Sequence, residues 1–223
     1  MLLKGTYKCN EARQHLTTLK MDRNEEFRLT LNNEAKTYGL SLTAAVQQKL
    51  SDYFDLLSRW NTRLHLVAPC SAAEFATRHV LESLLLLNYL PDKAVVVDVG
   101  SGGGLPIIPC LIARPDLEVR LIESSQKKGV FLREALKRIV PGANAKVISK
   151  RFEDVESPKA NFITCRALEQ LVAQVSRMLD WAPPASTLLL FGGDALREAL
   201  PNTSAEFLIP HSQRRYLFIV RKL

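Results

Sequence analysis

Cysteine is scarce in this chain and follows no pattern. Cys9, Cys70, Cys110 and Cys165 are scattered over 223 residues, and none forms a C-x-x-C pair. That spacing argues against a disulfide or zinc framework and for reduced thiols, with Cys110 and Cys165 in apolar surroundings. Long apolar runs are missing as well. The longest candidate, Leu84 to Leu87, falls far short of the roughly 20 residues of a membrane span, so no membrane partner is expected. No apolar stretch follows Lys4 and Lys8, so a secretory leader is not expected either. Histidine is rare, and His15, His65 and His211 share no ligand spacing, so no metal is expected. Acids are outnumbered, 23 against 30 Lys and Arg, which gives a net charge of +7. That excess favours an anionic partner.

What is present divides into three regions. Residues 1–23 are polar without clean periodicity and read as a flexible extension, with Met21 an alternative start. Residues 24–92 read as helices. Val46, Leu50, Phe54, Leu57 and Leu64 fall near one face of the first long one, which Ser41 or Thr43 caps. A second helix begins after Ser71 and stops before Pro91. Residues 93–223 alternate strand and helix. Strands are expected at 94–99, 118–123, 145–149, 162–165 and 187–191, then a close pair at 206–209 and 216–221. The first five, separated by helices, imply parallel βαβ units, and the last two imply an antiparallel pair. The fold class is therefore α/β, a seven-stranded, mostly parallel Rossmann-like sheet with an N-terminal helical extension, the whole packed as one unit.

Four of the ten glycines lie between positions 100 and 104, directly after the strand "VVVDV". A dinucleotide fingerprint places its third glycine at 105, where this chain has Leu105, and no P-loop lysine follows. What remains is Asp98-x-Gly100-x-Gly102-x-Gly104, the acid and alternating glycines used to bind S-adenosylmethionine. Glycines let main-chain amides approach such a ligand, and the following helix N-terminus favours its carboxylate. Asp98 either orients the loop or reaches the cationic amino end through water. Glu123, about 20 residues on at the end of the second strand, occupies the position that holds ribose hydroxyls.

Around this loop stand "RWN" at 59–61, "RHVLES" at 78–83, "DVGSGGGLPIIP" at 98–109, "LIESSQKKGVFLR" at 121–133, "SKRFEDV" at 149–155 and "ITCRALEQL" at 163–171. Together they resemble the RsmG family, also called glucose-inhibited division protein B, from about Leu40 to the C-terminus. The resemblance implies a class I methyltransferase acting on N7 of a guanine in bacterial small-subunit (16S) ribosomal RNA. It also implies S-adenosyl-L-methionine as cofactor; the reduced thiols point to a cytoplasmic location, and a monomer is expected. It carries Gly100 and Leu105 over as cofactor contacts, Phe152 and Glu153 as the pair beside the adenine, and Arg166 as an arginine lining cofactor and substrate. Phe152 has core packing as its other reading, and Arg166 a salt bridge to a local carboxylate. Arg78 and His79 divide between the site and an interdomain hydrogen bond, while Lys127, Lys128 and Arg133 form a candidate basic edge.

Two departures stand out. Ile107 replaces a common glycine, so it either packs outward or narrows the pocket. Phe191-Gly192-Gly193 stands where the family shows Leu-Lys-Gly, which puts any role of that lysine in doubt. A catalytically silent RNA-binding or assembly factor, and a methyltransferase for a small molecule or protein, stay open as alternatives. Guanine N7 has a lone pair and no proton, so methylation there needs no general base and rests mainly on positioning.

Overall fold

A computed structural model describes residues 22–166, 171–201 and 205–222. The extension expected over 1–23 lies outside the described residues up to position 21. The first helix, α1 (Arg23–Glu34), is mostly polar but turns Phe27 and Leu31 inward, both fully buried. In α2 (Ala44–Leu64) the three-and-four spacing buries Leu50, Phe54 and Leu57. Thr43 is the cap used, its Oγ1 accepting from the Val46 amide at 3.3 Å. Phe27 stacks on Phe54 at 4.7 Å, and Phe54 meets Phe75 at 4.9 Å, so aromatic faces tie the helices together.

The second helical stretch begins at the Ser71 cap, as expected, but it is not one α-helix. It runs through α3 (Ala72–Glu74), a π-helical segment Phe75–Leu81, α4 (Glu82–Leu84) and a 3-10 turn Leu85–Asn88. In the π segment the Glu82 amide donates to the Thr77 carbonyl, five residues back.

Then come β1 (Val95–Val99), α5 (Ile107–Ala113), β2 (Glu118–Ile122), α6 (Gln126–Ile139), β3 (Ala145–Ile148), β4 (Phe162–Arg166), α7 (Leu171–Trp181), β5 (Thr187–Gly192), α8 (Asp194–Ala199), β6 (Ala205–Leu208) and β7 (Tyr216–Arg221). The sheet order is β3-β2-β1-β4-β5-β7-β6. The first five strands run parallel, and β7 is antiparallel to both β5 and β6. This is the expected Rossmann-like class, with its topological switch between β1 and β4.

Strand alternation divides the interior. Val96 joins a core with Phe27, Leu57, Ile108, Phe131 and Leu132, whereas Val97 and Val99 join one with Val175, Met178 and Leu196. The N-terminal helices thus enlarge the core on one sheet face. Ile107 neither packs outward nor narrows a pocket; it is fully buried in that first core.

Candidate active site

A cavity of about 750 Å³ opens near the carboxyl ends of β1, β4 and β5. This is the switch point, where adjacent connections leave toward opposite faces and leave a crevice. Its floor is the glycine loop. Gly100, Gly102 and Gly104 hold φ of +70°, +51° and +81°, which favour glycine. At Gly104 space is also short, because an added Cβ would lie 2.3 Å from Ile108 Cδ1. Gly102 is open: the nearest atom to an added Cβ is the Gly100 carbonyl oxygen at 3.7 Å.

The loop is held from several sides. The Gly100 and Ser101 amides donate to the Ile122 carbonyl at 2.9 and 3.1 Å. Tyr53 in α2 donates its hydroxyl to the Gly103 carbonyl. Among the described residues the amides of Gly103 and Leu105 find no acceptor.

Glu123 pins the loop as well. Its Oε2 accepts from the Gly102 amide at 2.8 Å and its Oε1 from the Ser125 amide at 2.7 Å. Asp98 lies beneath the floor, fully buried, and accepts from Thr164 Oγ1 at 2.7 Å through Oδ1. Among the described residues its Oδ2 has no hydrogen-bond partner. Burial pushes the Asp98 carboxyl up to about 7, opposed by the hydroxyls of Ser101 and Thr164 and aided slightly by the Glu123 charge.

Arg166 ends β4 and lines the cavity. Its Nη1 donates to the His79 carbonyl at 3.3 Å and to Ser83 Oγ at 3.2 Å. Its Nη2 donates to the Arg78 carbonyl and to Glu82 Oε2, the latter at 3.2 Å. The salt bridge to a local carboxylate is present, and the same residue lines the cavity. Glu82 also accepts from Arg215. Burial holds the Glu82 carboxyl above its usual range against the pull of Arg166 and Arg215. His79 is pushed down to about 3 by burial and by Arg166, Arg78 and Arg215, so its ring is neutral at pH 7.

The structure brings Gly100, Gly102, Leu105, Glu123 and Arg166 to one cavity. Asp98 is not among its lining residues; it is fully buried and bonded to Thr164. Phe152 and Glu153 are not among the lining residues. Phe152 is buried in the second core, edge-on to Trp181 at 5.5 Å, and Glu153 is exposed. Arg78, His79 and Lys128 line the wall, whereas His211 pairs with Glu34 at 2.9 Å. Sequence reasoning missed Glu82, Arg215 and the turn His65–Ala68 as lining residues. Glu82 sat inside the quoted "RHVLES", but nothing local showed that two distant arginines meet it.

The family model described as rRNA small subunit methyltransferase G (GidB) matches residues 46–220. The "Ribosomal RNA small subunit methyltransferase G" of Gluconobacter oxydans is 36% identical over 176 residues, 77% of this chain and 88% of that protein. Its namesake in Xanthomonas campestris is 39% identical over 161 residues, 72% of this chain and 75% of that protein. Among solved structures, an RNA methyltransferase from Salinibacter ruber in complex with S-adenosyl-L-homocysteine aligns with a TM-score of 0.50 at 15% identity, covering 64% of this chain and 88% of that one. TYW2 from P. horikoshii, in complex with MeSAdo, gives 0.52 at 14% identity, covering 64% and 62%. At such identities the structural likeness speaks for the fold.

Proposed function

The chain belongs to the rRNA small subunit methyltransferase G family, and we propose on that footing that it moves a methyl group from S-adenosyl-L-methionine to N7 of a guanine in small-subunit ribosomal RNA. The observation that carries this reading is the glycine floor at the switch point, tied to Glu123 at the end of the neighbouring strand.

The residues present fit the cofactor. Gly102 offers bare main chain to the cavity, and the amides of Gly103 and Leu105 are donors without a described acceptor. In this reading Gly100, Gly102 and Leu105 receive the methionine end. Each oxygen of Glu123 has a second lone pair for the ribose hydroxyls. Asp98 keeps the loop in place from below. Phe152 and Glu153 lie outside the cavity lining, and they would hold the adenine through the main chain of their 3-10 turn, whose own bonds use the amides of Asp154 and Val155.

When bound, the cofactor supplies a methyl group activated on a sulfonium. The chain's residues then need only bind, orient and exclude water, because guanine N7 has a free lone pair and no proton to lose. The cavity suits that requirement. Glu123 is engaged by amides, Glu82 by arginines, and Arg166 stays protonated at any working pH. Arg166 orients rather than takes a proton, and the net charge of +7 suits an RNA partner. Among the described residues no helix is long and apolar enough to cross a membrane. We place the enzyme in the cytoplasm, where small subunits are assembled, and as a monomer.

The test compares N7-methylguanine in small-subunit RNA from cells with and without the gene. One guanine losing its mark in the deletion, and regaining it on complementation, is expected. Unchanged marks, alongside transfer to a small acceptor by the isolated protein, would replace this reading with a small-molecule activity.

A further inference from the structure

Glu82 opens α4 with only 2% of its side chain exposed, and it lies between two arginines from separate parts of the sheet. Arg166 comes from the end of β4, and Arg215 immediately precedes β7. Their situations differ. Arg166 is 11% exposed and sits over the Phe191 ring at 5.4 Å. A guanidinium has five N–H donors. Four of those on Arg166 are directed at the carbonyls of Arg78 and His79, at Ser83 and at Glu82. Little of its fork remains for a ligand. Arg215 is 34% exposed, lines the same cavity, and its guanidinium has Glu82 as its acceptor among the described residues. The rest of its fork is uncommitted.

The carboxylate is what allows two guanidinium groups to share one wall. Without it, like charges would repel in a poorly hydrated place. Buried ion pairs of this kind add little net stability, because desolvation offsets the attraction, but they fix geometry. The π segment contributes too. Its Arg78 and His79 carbonyls accept from Arg166, using the second lone pair that a helix carbonyl keeps.

We propose that Glu82 is a positioning residue for the acceptor half of the cavity: it locks Arg166 into the wall and presents the free donors of Arg215 to an acceptor oxygen of the RNA. The inference rests on the methyl-transfer reading above. Two sources of that oxygen, a base carbonyl and a phosphate, share this chemistry. Salt dependence separates them, since a phosphate contact steepens it and a carbonyl contact does not.

The experiment uses the full chain and the variants Glu82→Gln, Arg215→Lys and the double variant. Thermal melting, calorimetric titration with S-adenosyl-L-methionine, and transfer to small subunits resolved into kcat and KM are measured at two salt concentrations. Glu82→Gln should bind the cofactor within about threefold of wild type while kcat/KM for subunits falls roughly tenfold or more. Arg215→Lys should show the same split, and the double variant should be no worse than the poorer single one, because both changes remove one device. Wild-type kcat/KM in either single variant overturns the proposal. So does a parallel fall in cofactor affinity and turnover, which marks a purely structural ion pair. Losses that multiply in the double variant overturn it too. If Glu82→Gln does not fold, the split in Arg215→Lys decides. A wild-type chain that transfers nothing to subunits overturns the function itself, and this inference with it.

Discussion

At the scale of single residues, Glu123 has one carboxylate for the loop and for the proposed ribose contact. The loop needs its oxygens for the Gly102 and Ser125 amides, and the proposed ribose contact needs their remaining lone pairs. Glu123→Ala leaves two part-buried N–H groups without acceptors. Cofactor binding should weaken by about 1.5 to 3 kcal/mol by calorimetry, as for bonds to a charged group. Glu123→Gln should lose a similar amount, because its NH₂ must face one of the two amides. Normal affinity in both variants would remove Glu123 from loop and ribose alike. The glycines supply a second comparison. Gly104 and Gly142 have nearly the same φ, +81° and +82°, but only Gly104 is crowded. Gly142→Ala should cost about 1 to 2 kcal/mol, from conformation alone. Gly104→Ala should cost clearly more and lower cofactor affinity, because its Cβ displaces Ile108 under the floor. Equal melting temperatures for the two variants would mean the α5 contact gives way freely.

At the scale of elements, Asp98 and Thr164 pair across β1 and β4, directly opposite in register. The Asp98 carboxyl is raised by burial to about 7, from about 3.9 in the unfolded chain. Between those values the folded chain holds a proton that the unfolded chain has released. This contribution to stability is fully present below about 4 and is lost as pH rises through about 7. The melting temperature of wild type should therefore fall relative to Asp98→Asn between about pH 4 and pH 7, then run parallel. Parallel curves throughout would show that Asp98 is ionised in the fold. The strands themselves were legible in the sequence, because buried parallel strands are apolar throughout and glycine, proline and acids mark their ends. Limits differ by at most one residue, as at the end of β3, which falls at Ile148 and not Ser149. The π segment was not legible: "FATRHVL" carries ordinary helical spacing, and nothing in it marks the bond from the Glu82 amide five residues back to Thr77. Phe152 shows the same limit, since one apolar ring after a strand fits a core and a binding face equally well, and here it packs on Trp181. The glycine floor was legible because conformation and close approach demand glycine locally. The Arg166–Glu82–Arg215 group was not, because its members lie 84 and 133 residues apart.

At the scale of the molecule, the N-terminal helices and the sheet share one core, so the cavity is walled by both. Charge adds a direction to that shape. Lys127 and Lys128 stand in the first turn of α6, beside the floor, and Lys128 lines the cavity. Helix stability does not explain them, since the positive end of the helix dipole disfavours cations there by a few tenths of a kcal/mol or more. Lys128 makes no ion pair or side-chain hydrogen bond among the described residues. A cation held against the dipole and left unpaired beside the site is suited to an anion arriving from outside, and phosphates of the RNA are the anions the proposed function brings. If Lys128 meets one phosphate, Lys128→Ala should bind small subunits more weakly at low salt. The slope of log affinity against log salt should become shallower by about 1. Its melting temperature should stay level or rise slightly, because a cation has left the wrong end of the helix. Filter binding across a salt series, with a thermal melt of each protein, checks both statements. An unchanged slope with reduced affinity for S-adenosyl-L-methionine would assign the lysine to the cofactor's carboxylate instead of the RNA.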